Sequence, residues 1–199
     1  MDSEVKSFLS NRRNLALAWD ISEAMEEMSE HVYLSFWKSV RQTLDDYLLE
    51  KEYSDTWKVS FDDEGCGFLF IEPTALASGG SAFGVGAESL NGKPYGACYY
   101  GIRRGKKVAK IAWCEEDNAV SEALTQYGFK SSLWWVGWKF VSKLGLPKME
   151  GEEKEELLDI HDDNCDEKHP LAEIMANAIL EIFDKHRSVL EKLNDKYPY

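Results

Sequence analysis

Trp57-Lys-Val-Ser-Phe61, Asp62-Asp-Glu-Gly65 and Phe68-Leu-Phe-Ile71 follow one another closely in the chain. The first alternates apolar and polar side chains, the second forms turns, and the third resumes an apolar run. Together they read as a β-hairpin. Working outward, Asn91-Gly92 and Arg103-Arg-Gly-Lys106 give further turn signals beside Tyr95-Gly-Ala-Cys-Tyr-Tyr-Gly-Ile102 and Val108-Ala-Lys-Ile-Ala-Trp113. Strands joined by short turns pair antiparallel, so a meander is expected. Asn118 to Tyr127, closed by Gly128, reads as a short helix. In Leu133-Trp-Trp-Val-Gly-Trp-Lys-Phe140, strand alternation puts Trp134, Val136, Trp138 and Phe140 on one face. Trp135 then falls on the opposite face, partly exposed, where it could anchor a partner.

The flanks change period. Ile21, Met25, Met28, Val32, Phe36, Val40, Leu44 and Leu48 recur every three or four residues, which predicts one long helix or two shorter ones. Pro170 suits the first turn of a final helix, whose expected apolar stripe is Leu171, Ile174, Met175, Ala178, Ile182, Val189 and Leu193. The order of elements predicts a single α+β domain over 1–199: an antiparallel meander sheet covered by N- and C-terminal helices. Residues 148–168 read as an acidic connector within it.

Composition narrows the class. At 199 residues, 44% apolar and 13% aromatic, the chain can build a core and is not wholly disordered. No run of 18 apolar residues occurs, and Met1-Asp-Ser-Glu-Val-Lys6 lacks the regions of a secretory signal. A soluble cytoplasmic protein without a membrane partner is the expectation. Cys66, Cys98, Cys114 and Cys165 form no CxxC pair and no zinc or disulfide spacing, which suits a reducing compartment.

The net charge is −13, unevenly spread: −5 over 1–50, zero over 51–147 and −8 over 148–199. Such a field repels nucleic-acid backbones and attracts basic surfaces. Residues 150–167 hold ten acids against one lysine. A row of Glu152, Glu153, Glu155, Glu156, Asp159, Asp162 and Asp163 can imitate phosphates to a basic protein partner, such as a nucleic-acid-binding enzyme. The opposite reading uses the one basic cluster, Arg103, Arg104, Lys106, Lys107 and Lys110, as a hairpin that touches phosphates while Tyr99 and Tyr100 stack on bases.

Catalytic patterns are weak. Gly79-Gly-Ser-Ala-Phe-Gly84-Val-Gly86 lacks the Gly-Lys-Ser/Thr ending of a phosphate-binding loop and reads as a mobile loop. His161, Cys165 and His169 recur every four residues, but Pro170 and the surrounding acids favour a linker over a zinc site. Glu72 and Glu88 sit beside turns with nothing to fix them as an acid–base pair. No serine lies in a Gly-x-Ser-x-Gly elbow. The expectation is a chain without catalytic residues, cofactor or metal.

Phe8-Leu-Ser-Asn-Arg-Arg13, Ile21 to Met28 and Tyr33-Leu-Ser-Phe-Trp-Lys-Ser-Val40 resemble the region that follows the catalytic core in one PD-(D/E)xK nuclease-like family. Tyr99-Tyr-Gly-Ile102 and Leu171 to Leu193 match its strand-rich region and closing helix. The (D/E)-x-Lys triplets, Glu4-Val-Lys6, Glu152-Glu-Lys154 and Asp166-Glu-Lys168, fall outside any central strand, so no catalytic residue carries over. The resemblance implies a non-catalytic portion standing alone, in a lineage linked to defence systems and mobile elements. The function expected is a non-enzymatic acidic protein-binding module, in one version a phage inhibitor that mimics DNA. The alternative is an accessory nucleic-acid-contacting domain of a nuclease or defence system.

Overall fold

The computed structural model describes residues 2–62, 67–74, 83–89, 97–105, 108–147, 160 and 169–197. A short helix α1 (Ser3–Leu9) leads into α2 (Arg12–Glu50), a single helix of 39 residues. Asn11 starts α2: its side-chain oxygen accepts from the backbone N–H groups of Arg13 and Asn14, at 2.9 and 3.4 Å. Five strands follow, β1 (Trp57–Phe61), β2 (Phe68–Pro73), β3 (Phe83–Ser89), β4 (Cys98–Arg104) and β5 (Trp135–Phe140). They pair antiparallel in sequence order, as the meander reading requires. Helix α3 (Glu115–Thr125) lies between β4 and β5, and α4 (Pro170–Lys196) closes the fold.

The main hydrophobic cluster lies on one side of the sheet. Trp57, Val59, Leu69, Ile71, Phe83, Val85 and Ile102 alternate onto that face and are buried against α2 and α4. Trp57 meets Phe183 of α4 edge-on, with ring centroids 5.0 Å apart. From α2 the face contributes Val32, Tyr33, Phe36, Val40, Leu44 and Leu48. Phe36 and Trp37 stack edge-on at 5.2 Å inside this core. The buried side of α4 is wider than the expected stripe. It adds Ala172, Ala176, Ile179, Phe183, His186 and Leu190, while Ile174 is exposed, because the helix is clamped between α2 and the sheet.

Near its end α4 is tied to the central strand by a polar clasp. The Asn194 side chain accepts from the Phe83 N–H at 3.0 Å and donates to the Phe83 carbonyl at 3.2 Å, all of it buried. Removing the amide leaves buried backbone groups unpaired. Asn194→Ala is therefore expected to lower stability by about 2 kcal/mol, read as a lower urea midpoint with an unchanged slope.

Two expectations are corrected here. Phe83, Gly84, Val85 and Gly86 form part of the central strand, whereas the glycine-rich stretch reads as a loop in the sequence. Pairing to β4 throughout, and to β2 at Val85 and Gly86, overrides the poor strand propensity of glycine. Val108–Lys110 is a turn of 3-10 helix where a strand was expected, since the chain bends to bring the Ile111 carbonyl to Arg104. Cys98 is buried, as a small core residue should be.

Candidate functional site

Sheet alternation leaves the opposite face to Phe68 and Phe70 of β2, Gly84, Gly86 and Glu88 of β3, and Tyr99, Gly101 and Arg103 of β4. Strand β5 adds Phe140 opposite Tyr99 and Trp138 opposite Gly101. A β-bulge then intervenes. Ile102 pairs with Gly137 but Arg103 pairs with Trp135, so Val136 is the extra residue. The bulge turns Trp135 onto the same face as Trp138.

This corrects the expected orientation of Trp135. It is not an exposed anchor: it is 5% exposed, wedged between Phe70 and Tyr99 with ring centroids at 5.9 and 5.0 Å. Tyr99 continues the row to Trp138 at 5.8 Å, and Trp138 to Phe140 at 5.2 Å. Trp135, Tyr99, Trp138 and Phe140 line an open groove of about 510 Å³, to which Trp134 adds a half-exposed wall. None of the described helices lies across it. A cleft of this size, largely aromatic with few polar groups, is the common form of a binding site.

Two charged groups face the groove. The Arg103 guanidinium stacks over the Phe70 ring at 4.1 Å and meets the Glu88 carboxylate at 3.4 Å. Both are about 30% exposed, so water and an incoming ligand reach them. Burial, and secondarily the Glu88 charge, push the Tyr99 phenol above its ordinary pKa and keep it a neutral hydroxyl. The site therefore offers an apolar wall, one partly exposed carboxylate, one planar donor and the hydroxyls of Tyr99 and Ser132.

It does not offer converging carboxylates. Glu72 is buried beside Lys58 and accepts from the Ser60 hydroxyl. It lies four residues along β2 from Phe68, the partner of Glu88, which is roughly 13 Å of strand. The two acids singled out in the sequence are thus fixed far apart. Among the described residues no three histidine, cysteine, aspartate or glutamate side chains gather as metal ligands.

The basic cluster is divided by the fold. Arg103 faces the groove, and Lys110 is exposed at the end of its 3-10 turn. Arg104 cannot serve as a phosphate contact. Its side chain is fully buried, 3.5 Å from Asp117, and donates to the carbonyls of Leu133 and Ile111. Lys106 and Lys107 lie outside the described residues. So do Glu152, Glu153, Glu155, Glu156, Asp159, Asp162 and Asp163, together with His161 and Cys165. His169 is a structural residue at the start of α4. Its Nδ1 accepts from the Leu171 N–H at 3.2 Å, and its Nε2 donates to the Ile160 carbonyl. None of the described helices is long and apolar enough to cross a membrane.

Compared with protein families, curated proteins and solved structures, the chain matches none. Function must therefore be argued from the groove. Its residues missed by the reading of the sequence are Glu88, Trp138 and Phe140 as binding groups. The signal lay in the alternation Tyr99-x-Gly101-x-Arg103, beside Gly84-x-Gly86-x-Glu88. Glycines at facing positions leave room above the sheet, and the neighbouring strands supply the rings that fill its edges.

Proposed function

We propose that this chain is a non-enzymatic protein-binding module whose open sheet face takes an aromatic or proline side chain from a basic segment of its partner. The observation that carries the reading is the groove: a continuous aromatic row on an uncovered sheet face, with Glu88 and Arg103 at its side. Rings of this kind give large contact area at low entropic cost and dominate binding energy where they line a pocket. The net charge of −13 attracts a basic flank, and Glu88 offers it a specific acceptor. The acidic row of 150–167 supports the same choice of partner from the sequence side.

Peptide display tests this. The wild-type chain should enrich peptides that share an aromatic or proline anchor beside lysine or arginine. Trp138→Ala should lose the enrichment, and Glu88→Gln should keep the anchor while relaxing the basic flank. No shared anchor, or the same anchor selected by Trp138→Ala, would contradict the proposal.

A second reading draws on one observation. Tyr99, Trp138 and Arg103 share the open face, an arrangement on which unpaired bases can stack. Titrating the tryptophan fluorescence with single-stranded oligonucleotides separates the two. Saturable quenching that falls steeply with salt and is lost in Arg103→Ala would favour nucleic acid over peptide.

A further inference from the structure

The long helix outruns the body it packs on. Burial in α2 begins at Val32, and none of the described side chains of residues 12–31 is buried. At 1.5 Å per residue the projecting part is about 30 Å long. It is not polar all round, as a free solvated helix would be. Leu17 is 52% exposed, Ile21 54%, Met25 46% and Met28 50%, and at 100° per residue these four fall on one face. Helix α1 packs only beside the start of α2, with the Asn14 side chain donating to the Phe8 carbonyl at 2.9 Å. Water-exposed apolar stripes of this length are partner surfaces.

The charges along the same segment indicate which partner. Arg12 and Arg13 stand at its beginning, and Asp20, Glu23, Glu27 and Glu30 follow. Two such helices side by side in the same direction would set acid level with acid. Turned antiparallel about Ile21, the basic beginning of one lies along the acidic end of the other. Leu17 then faces Met25, and Arg13 comes beside Glu27, which lies on the same flank of the stripe. The helix dipoles are opposed as well, which favours the same orientation.

We propose that two copies of this chain associate through an antiparallel pairing of their projecting α2 segments, with Ile21 at the centre. The stripe lies outside the core, so it can be altered without unfolding the domain. This inference is independent of what the sheet groove binds.

Sedimentation equilibrium of the full chain, up to about 100 µM, reads the outcome directly. The wild type should be a dimer. Ile21→Asp should be a monomer that still unfolds in a single cooperative transition, with a midpoint no longer dependent on protein concentration. Arg13→Glu should weaken association roughly tenfold or more, and Arg13→Glu combined with Glu27→Arg should restore it. A wild type that stays monomeric throughout would overturn the proposal. So would an Ile21→Asp variant that still dimerises, or a charge exchange that fails to restore pairing.

Discussion

Asp117→Ala is expected to cost about 3–5 kcal/mol of folding stability, the loss typical when one partner of a buried ion pair is removed. Asp117 and Arg104 have no exposed side-chain surface, and their charged atoms are 3.5 Å apart. Taking away the carboxylate leaves the guanidinium buried beside the Trp113 ring with the Leu133 and Ile111 carbonyls as its acceptors among the described residues. It also removes the acceptor for the Cys114 N–H, at 3.1 Å, which starts α3. Asp117→Asn should fall between alanine and wild type, since it keeps an oxygen for Cys114 but not the charge. Urea titration checks the series: the midpoint should drop with little change in slope. The pair matters for the groove because Arg104 joins the end of β4 to α3 and to the segment before β5. Its own N–H donates to the Trp134 carbonyl at 2.8 Å, next to the bulge that turns Trp135. A loss of binding in Arg104→Ala would consequently report on folding and not on contact with phosphates.

Gly101→Ala should cost more than about 3 kcal/mol, through strain and overlap together. The residue sits at φ +149°, and an added Cβ would lie 2.0 Å from the Gly137 carbonyl oxygen and 3.1 Å from the Trp138 Cα. Backbone of the neighbouring strand cannot step aside as a flexible side chain can. Gly145 is the control, with φ +79° and nothing within 4 Å of an added Cβ. Gly145→Ala should show the conformational cost alone, about 1 kcal/mol, or a fall in Tm of roughly 2–4 °C. Gly101→Ala should lower Tm at least twice as far. Equal shifts would mean that the close approach of β4 to β5 costs nothing, and that the groove floor does not depend on it.

Helices α2 and α4 and the first hairpin were legible because each has one clear period. The spacing of Val32, Phe36, Val40, Leu44 and Leu48 sets the buried side of α2, and Trp57 to Phe61 alternates cleanly. The groove was harder to read because three local rules fail around it. Gly84 and Gly86 argue for a loop on propensity alone, and only their pairing, Gly84 to β4 and Gly86 to both β2 and β4, makes them strand. Strict alternation puts Trp135 and Trp138 on opposite faces, and a single bulge undoes it. Arg103 and Arg104 are neighbours of the same type, yet one is stacked at the groove and the other is sealed in the interior. Charge counting cannot separate them, since the difference comes from an acid, Asp117, contributed by a helix further along the chain. Phe68-Leu-Phe-Ile71 did carry a hint, because an unbroken apolar run in a sheet covered on one side implies an apolar outer face.

Calorimetric titration of a display-selected peptide into the wild type, Trp138→Ala and Ile21→Asp tests most directly whether the open sheet face is the binding surface. Burial of an apolar anchor predicts a negative heat-capacity change for the wild type. Trp138→Ala should lose about 2 kcal/mol of affinity, roughly thirtyfold in Kd, whereas Ile21→Asp should bind as the wild type does. Equal affinity of Trp138→Ala and wild type, with both folded, would contradict the assignment of the groove.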